Sequence, residues 1–239
     1  MLLFDYRYLG ASDGDPRQLI SIPRQLDDWA AAIAYARAIP GVDPSRIGLW
    51  GCSLSGGHVL MAAARDPAIA AISAQCPMFD GAASAHLFMQ YAGLRAGMRL
   101  TLAALVDSVR GLLGKSPHYV PLVGAPGELA AMASEDAYRG CLAIVPPGWR
   151  NEIVLRFFVT MPLYRPVRHA VEVGCPALIV VCTKDTVVST RAASEVAASI
   201  GAKAKLVELP IGHFEVYLGE WFERSSSEQV EFFSRSLQR

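Results

Sequence analysis

The chain has 239 residues, of which 52% are hydrophobic and 18% charged. Lysine plus arginine and aspartate plus glutamate each number 22, so the net charge is zero. This length can bury a sizeable core, the apolar content excludes disorder, and the neutral balance excludes a nucleic-acid binder, which needs clustered cations.

Leu2–Tyr6 reads as a short apolar strand entered directly after Met1, with no basic region or small-residue cleavage site of a signal peptide. Turn residues from Gly10 to Pro16 make a loop. Residues 21–38 form a helix with Ile22, Leu26, Trp29 and Ile33 on one stripe, ended by Pro40-Gly41. A strand is expected over 46–52, a Gly/Ala-rich helix over 55–65 and a strand over 69–75. From residue 81 to 165 strand-like runs become scarce. Helical stretches such as 100–113 alternate with breaks at Pro121, Pro126 and Pro146-Pro147-Gly148, which marks a helical insertion. Residues 177–183 are a near-continuous apolar run, as in a strand buried on both faces. A helix over 189–200, a strand over 205–209 and a last helix over 219–238 follow, the last with Phe222, Val230, Phe233 and Leu237 inward. This alternation predicts an α/β fold with a mostly parallel sheet flanked by helices. Residues 1–80 and 166–239 form the core, and 81–165 a helical cap.

The five cysteines, at 52, 76, 141, 175 and 182, sit mostly among apolar neighbours and form no CxxC pair. They read as buried reduced thiols of a cytoplasmic protein, and neither a metal nor a cofactor is implied. No apolar run spans a bilayer, so no membrane partner is expected.

The sharpest chemical signal is Leu49-Trp50-Gly51-Cys52-Ser53-Leu54-Ser55-Gly56-Gly57, at a strand-to-helix junction. A serine in so tight a turn needs neighbours without bulk. The turn lifts its hydroxyl out of the sheet and aims the Leu54 N–H at the place where an oxyanion would form. Ser55 stands where glycine is usual, and serine is also small. Here the chain resembles the α/β-hydrolase superfamily, most of all its bacterial capped esterase and peptidase-like branch. The resemblance rests on Asp5-Tyr6-Arg7-Tyr8-Leu9-Gly10, the Ser53 turn, the run Cys175 to Asp185 and Gly212-His213-Phe214.

Serine alone is a weak nucleophile. A histidine must take its proton, and a carboxylate must orient that histidine. Asp185 and His213 each follow a strand, so Ser53, Asp185 and His213 are expected to converge at the carboxyl end of one sheet. Taken singly, Asp185 could instead be a turn residue and His213 a surface histidine. Among the rest, His58 reads as a core histidine, His86 and His118 belong to the insertion, His169 to the surface, and Glu215 sits too near His213 in sequence to orient its ring. Phe88, Met89, Tyr91 and Phe158 are candidates for a substrate pocket or for core.

The resemblance implies a serine hydrolase that cleaves carboxylic esters of small to medium acyl chains. The same triad could serve amide, peptide, thioester or carbon–carbon cleavage, or acyl transfer. The strand and loop that supply the family's second oxyanion donor have no counterpart ahead of Leu2–Tyr6. That opens a further alternative, a catalytically weak truncated form that acts as an interaction protein. It also predicts that Leu2–Tyr6 slides beside the next strand, that a homodimer covers the bare edge, or that the sequence is a fragment of a longer protein. Tyr6, Arg7 and Tyr8 are the residues expected near the gap.

Overall fold

A computed structural model describes residues 1–238 of the chain. Helix α1 spans Ile22–Ala38, has proline in its first turn and buries Ile22, Leu26, Trp29 and Ile33, the stripe that the 3.6-residue period marks. Strand β1 (Gly48–Cys52), helix α2 (Leu54–Arg65) and strand β2 (Ala71–Gln75) follow. The next segment holds α3 (Gly81–Ala92), α4 (Leu94–Leu112), β3 (Tyr119–Val120), α5 (Glu135–Ile144), β4 (Ile153–Val154) and α6 (Phe157–Thr160). The chain then forms β5 (Ala177–Cys182), α7 (Thr190–Ile200), β6 (Ala204–Leu209) and α8 (Gly219–Ser236).

The main sheet is four-stranded in the order β1-β2-β5-β6, and every pairing is parallel. β2 and β5 lie side by side, with Ile72 opposite Ala177 and Gln75 opposite Val180. The whole segment from α3 to α6 therefore leaves the sheet after one strand and returns to its neighbour. All positions of β2 and β5 are buried, as their apolar runs require.

The inserted segment is not purely helical: β3 and β4 pair antiparallel in a small second sheet. Asp107 of α4 ties this unit together. Its fully buried carboxylate accepts bonds from the backbone of His118 (2.7 Å) and Arg156 (3.0 Å) and from Arg156 Nε (2.8 Å). Burial pushes this carboxyl up, but Arg156 and the two N–H groups outweigh it and hold it below the usual range.

Two sequence expectations fail. Leu2–Tyr6 forms no strand and does not slide beside β1, which is an outer strand of the sheet. The segment is held by side chains instead: Phe4 packs edge-on to Tyr6 and to Trp29, each with ring centroids 5.3 Å apart. In α8, Phe222 and Val230 are 48% and 66% exposed. Its inward face carries Ser225 and Gln229 instead, which share the side-chain oxygen of Gln75 at 2.9 and 2.8 Å. An amide network faces the sheet there, so hydrophobic periodicity misplaces Phe222 and Val230, while Phe233 and Leu237 are partly buried and lie close to Gly48 of β1.

His58 of α2 is fully buried, with Nδ1 2.7 Å from the Tyr164 hydroxyl and Nε2 3.0 Å from Gln25 Oε1. Burial lowers its pKa to about 3. The unfolded chain, with an ordinary value of about 6.5, therefore takes up a proton that the folded chain refuses, and stability falls as pH drops from about 6.5 toward 3. His58→Gln is expected to flatten that acid limb of unfolding free energy against pH by up to about 1.4 kcal/mol per pH unit, measured by urea titration. An unchanged slope would refute a neutral buried ring.

Candidate functional site

Ser53 sits between the end of β1 and the first turn of α2, with φ 51° and ψ −121°. This left-handed region strains any residue but glycine. The turn is pinned by its backbone: Ser53 N–H donates to Gln75 O at 2.9 Å, and Ser53 O accepts from Met78 N at 2.8 Å and Gly56 N at 3.0 Å. The flanking glycines are there for space. A Cβ on Gly51 would lie 2.3 Å from the Ser55 carbonyl oxygen, and one on Gly56 would lie 2.7 Å from Pro77 Cβ. The Leu54 N–H, at the start of α2, makes no hydrogen bond among the described residues. It is free to receive an anion at a helix N-terminus.

Ser55 has a role its size alone does not reveal. Its hydroxyl lies 2.7 Å from the Tyr6 hydroxyl, which accepts a bond from Trp29 Nε1 at 2.7 Å. Burial raises the Tyr6 pKa to about 12, so it stays a neutral hydroxyl. Tyr6 thus reaches the Ser53 turn through Ser55. Arg7 and Tyr8 do not reach it: Arg7 pairs with Asp28 (Nε–Oδ1 2.7 Å), and both line an open surface depression with Leu2, Phe4 and Tyr35. The nearby acid captures Arg7, and the turn at Tyr8 (φ 72°) carries the chain away.

Asp185 follows β5, and His213 follows β6. One Asp185 oxygen accepts from Val187 N at 2.7 Å and Val188 N at 2.9 Å. The other lies 2.6 Å from His213 Nδ1, with side-chain exposures of 1% and 3% for the pair. Asp185 is therefore a turn-capping residue and a histidine partner at once. The His213 ring packs edge-on against Phe214. Glu215 accepts from Gly212 N–H at 2.6 Å rather than from the ring, and Asp136 of α5 accepts from His213 N–H at 3.4 Å. Two carboxylates thus hold the backbone of the histidine loop, and Asp136, which the sequence reading did not single out, is one of them.

Ser53 and His213 line one cavity of about 570 Å³. No hydrogen bond joins their side chains among the described residues. The cavity walls are mostly apolar, and Phe88, Met89, Tyr91 and Phe158 all contribute, as do Met78 and Leu54. His86 and His118 are exposed and lie outside that lining, and His169 pairs with Glu172 at the surface.

Cys76, Asp185 and His213 offer atoms within 4.8 Å of one another, a trio of metal-ligand types. The short Asp185–His213 bond and the 3.1 Å contact between the sulfurs of Cys76 and Cys182 already engage those atoms. All five cysteines are free thiols; four are buried and Cys52 is partly so. Among the described residues no helix is long and apolar enough to cross a membrane.

Comparison with known proteins bears on this geometry. A model described as "Alpha/beta hydrolase family" matches residues 1–224. The chain is 41% identical over 236 residues to the quorum-quenching protein AidA of Acinetobacter baumannii (strain MDR-ZJ06), covering 98% of this chain and 76% of that one. It is 27% identical over 246 residues to the polyketide transferase claH of Penicillium crustosum, covering 99% and 78%. The alpha/beta hydrolase GrgF from Penicillium sp. sh18 superposes with a TM-score of 0.80 at 24% identity, covering 99% of this chain and 80% of that one. The parallel sheet and its flanking helices agree with these matches, and the chain belongs to the alpha/beta hydrolase family.

Proposed function

We propose that the protein is a serine hydrolase that cleaves carboxylic esters with small to medium apolar acyl groups. The observation that carries this reading is the buried 2.6 Å Asp185–His213 bond beside a cavity that Ser53 also lines. Ser53 Oγ attacks the ester carbonyl carbon and gives its proton to His213 Nε2. Asp185 holds the Nδ1–H and stabilises the imidazolium that forms. The carbonyl oxygen becomes an oxyanion that accepts a bond from Leu54 N–H. Collapse breaks the bond to the alcohol, which leaves with the proton from His213. Water then attacks the acyl-serine by the same steps in reverse order and releases the acid. Residues 81–165 act as a cap: α3, α4 and α6 contribute to the walls that hold the acyl group.

Methionines at 78, 89, 132 and 161 in the lining give the pocket adaptable walls, which suits acyl chains of varied shape. A second reading, transfer of the acyl group to an alcohol or amine other than water, is favoured by the likeness to a protein named a polyketide transferase. It uses the same acyl-serine. Product analysis with an added acceptor alcohol separates the two, because transfer yields a new ester and hydrolysis only the acid.

A fluorophosphonate probe is expected to label the wild-type protein at Ser53 and to leave Ser53→Ala unlabelled. Turnover of p-nitrophenyl butyrate to decanoate should fall on the order of 10⁴-fold in Asp185→Asn, because the histidine then takes the wrong tautomer. A wild-type protein that neither takes the label nor turns over any ester would sink this reading.

Backbone strain provides a separate check. Ser53→Gly relieves a conformation that costs roughly 1–3 kcal/mol but loosens the unfolded chain, so it is expected to raise the unfolding free energy by about 1 kcal/mol while abolishing turnover. Loss of stability in that variant would show that the turn is not strained.

A further inference from the structure

Helix α4 is apolar on two opposite faces. Gly97, Leu100, Ala104 and Asp107 are buried, and Gly97, Leu100 and Thr101 line the cavity. On the other side, Leu94, Met98, Leu102, Leu105, Val109 and Leu112 recur at three- and four-residue spacing and are 47–88% exposed. Val106 and Leu113 widen the stripe at 54% and 65%. This is a continuous ridge about 27 Å long, far beyond the scattered apolar residues of an ordinary surface.

Charge selects its occupant. Between residues 93 and 118 the cations are Arg95, Arg99, Arg110 and Lys115, and the one acid, Asp107, is buried against Arg156. A second copy docked stripe to stripe would bring these cations together with no exposed acid on the helix to neutralise them. An anionic lipid surface supplies both the apolar phase and the opposite charge.

We propose that α4 lies on an anionic phospholipid bilayer, with its outer stripe in the acyl boundary and its arginines at the headgroups. The helix does not span: its three arginines and buried inner face keep it at the interface. Its inner face borders the cavity, so lipid-dissolved acyl compounds would meet the cap directly. The docking does not depend on the proposed ester chemistry.

Co-sedimentation of the full chain with sucrose-loaded vesicles tests this. Phosphatidylcholine vesicles with about one-third phosphatidylglycerol are expected to bind at least roughly tenfold better than pure phosphatidylcholine, with the difference erased by molar salt. Leu102→Glu with Val109→Glu should reduce binding by roughly a hundredfold. Neither residue lines the cavity, and turnover of soluble esters and the thermal melt should stay as in wild type. Arg95→Gln with Arg99→Gln should lose only the preference for phosphatidylglycerol. Wild-type protein that stays in the supernatant, or binding that survives the double glutamate variant, overturns the proposal. So does a solution dimer that this variant dissociates, because the stripe would then be an interface between copies.

Discussion

The backbone reversal at Ser53 is the constraint around which the rest is arranged. A residue with a side chain is held in a left-handed conformation, at a cost of roughly 1–3 kcal/mol. It persists because its surroundings leave no alternative. Gln75 and Met78 fix its N–H and carbonyl, and Gly51 and Gly56 let α2 approach β1 and the Cys76–Met78 loop closely. What the fold obtains is a hydroxyl presented at the rim of a parallel sheet, next to an uncommitted backbone N–H.

The same rim explains why the inserted segment matters. β2 and β5 are neighbours in the sheet, so everything between them must rise from the strand ends and come back to them. α3 starts there under an Asp80 cap, whose carboxylate accepts from Ala82 and Ala83 N–H at 3.0 and 3.1 Å and pairs with Arg165 at the return of the segment. α5 arrives from the other side, and its Asp136 touches both Thr186 and the backbone of His213. The segment therefore closes the cavity and braces the histidine loop at the same time. A change within it that shifts α5 will reach the imidazole through one hydrogen bond.

The sheet has two unlike surroundings. On one side, α1, α2 and α7 pack as an apolar layer that includes the Tyr164–His58–Gln25 chain. On the other, α8 packs Trp221 and Phe232 against a smaller apolar cluster that includes Leu178, Val180 and Leu209, and adds an amide and hydroxyl network in which Trp50 Nε1 also donates to Gln229. Such a network is specific because each buried polar group must find its partner.

Local patterning determined much of this molecule. The α1 stripe, the buried runs of β2 and β5 and the small residues around Ser53 each follow from backbone sterics and hydrophobic period, which act over a few residues. The order of Ser53, Asp185 and His213 after three strands was likewise legible, because the ends of parallel strands lie side by side. Tertiary structure alone decided the rest. Leu2–Tyr6 has strand composition but no paired neighbour, and a strand exists only through its partner's hydrogen bonds. Phe222 and Val230 have the period of a buried stripe, yet Gln75 offers amide bonds that turn Ser225 and Gln229 inward. Arg7 follows Tyr6 directly, but a salt bridge to Asp28 takes it away from the site. The outer stripe of α4 looks like core in one dimension, and only the position of neighbouring elements shows that nothing among the described residues covers it. Sequence carries the forces between near neighbours; which distant group satisfies each polar atom or covers each apolar face is settled when the elements meet.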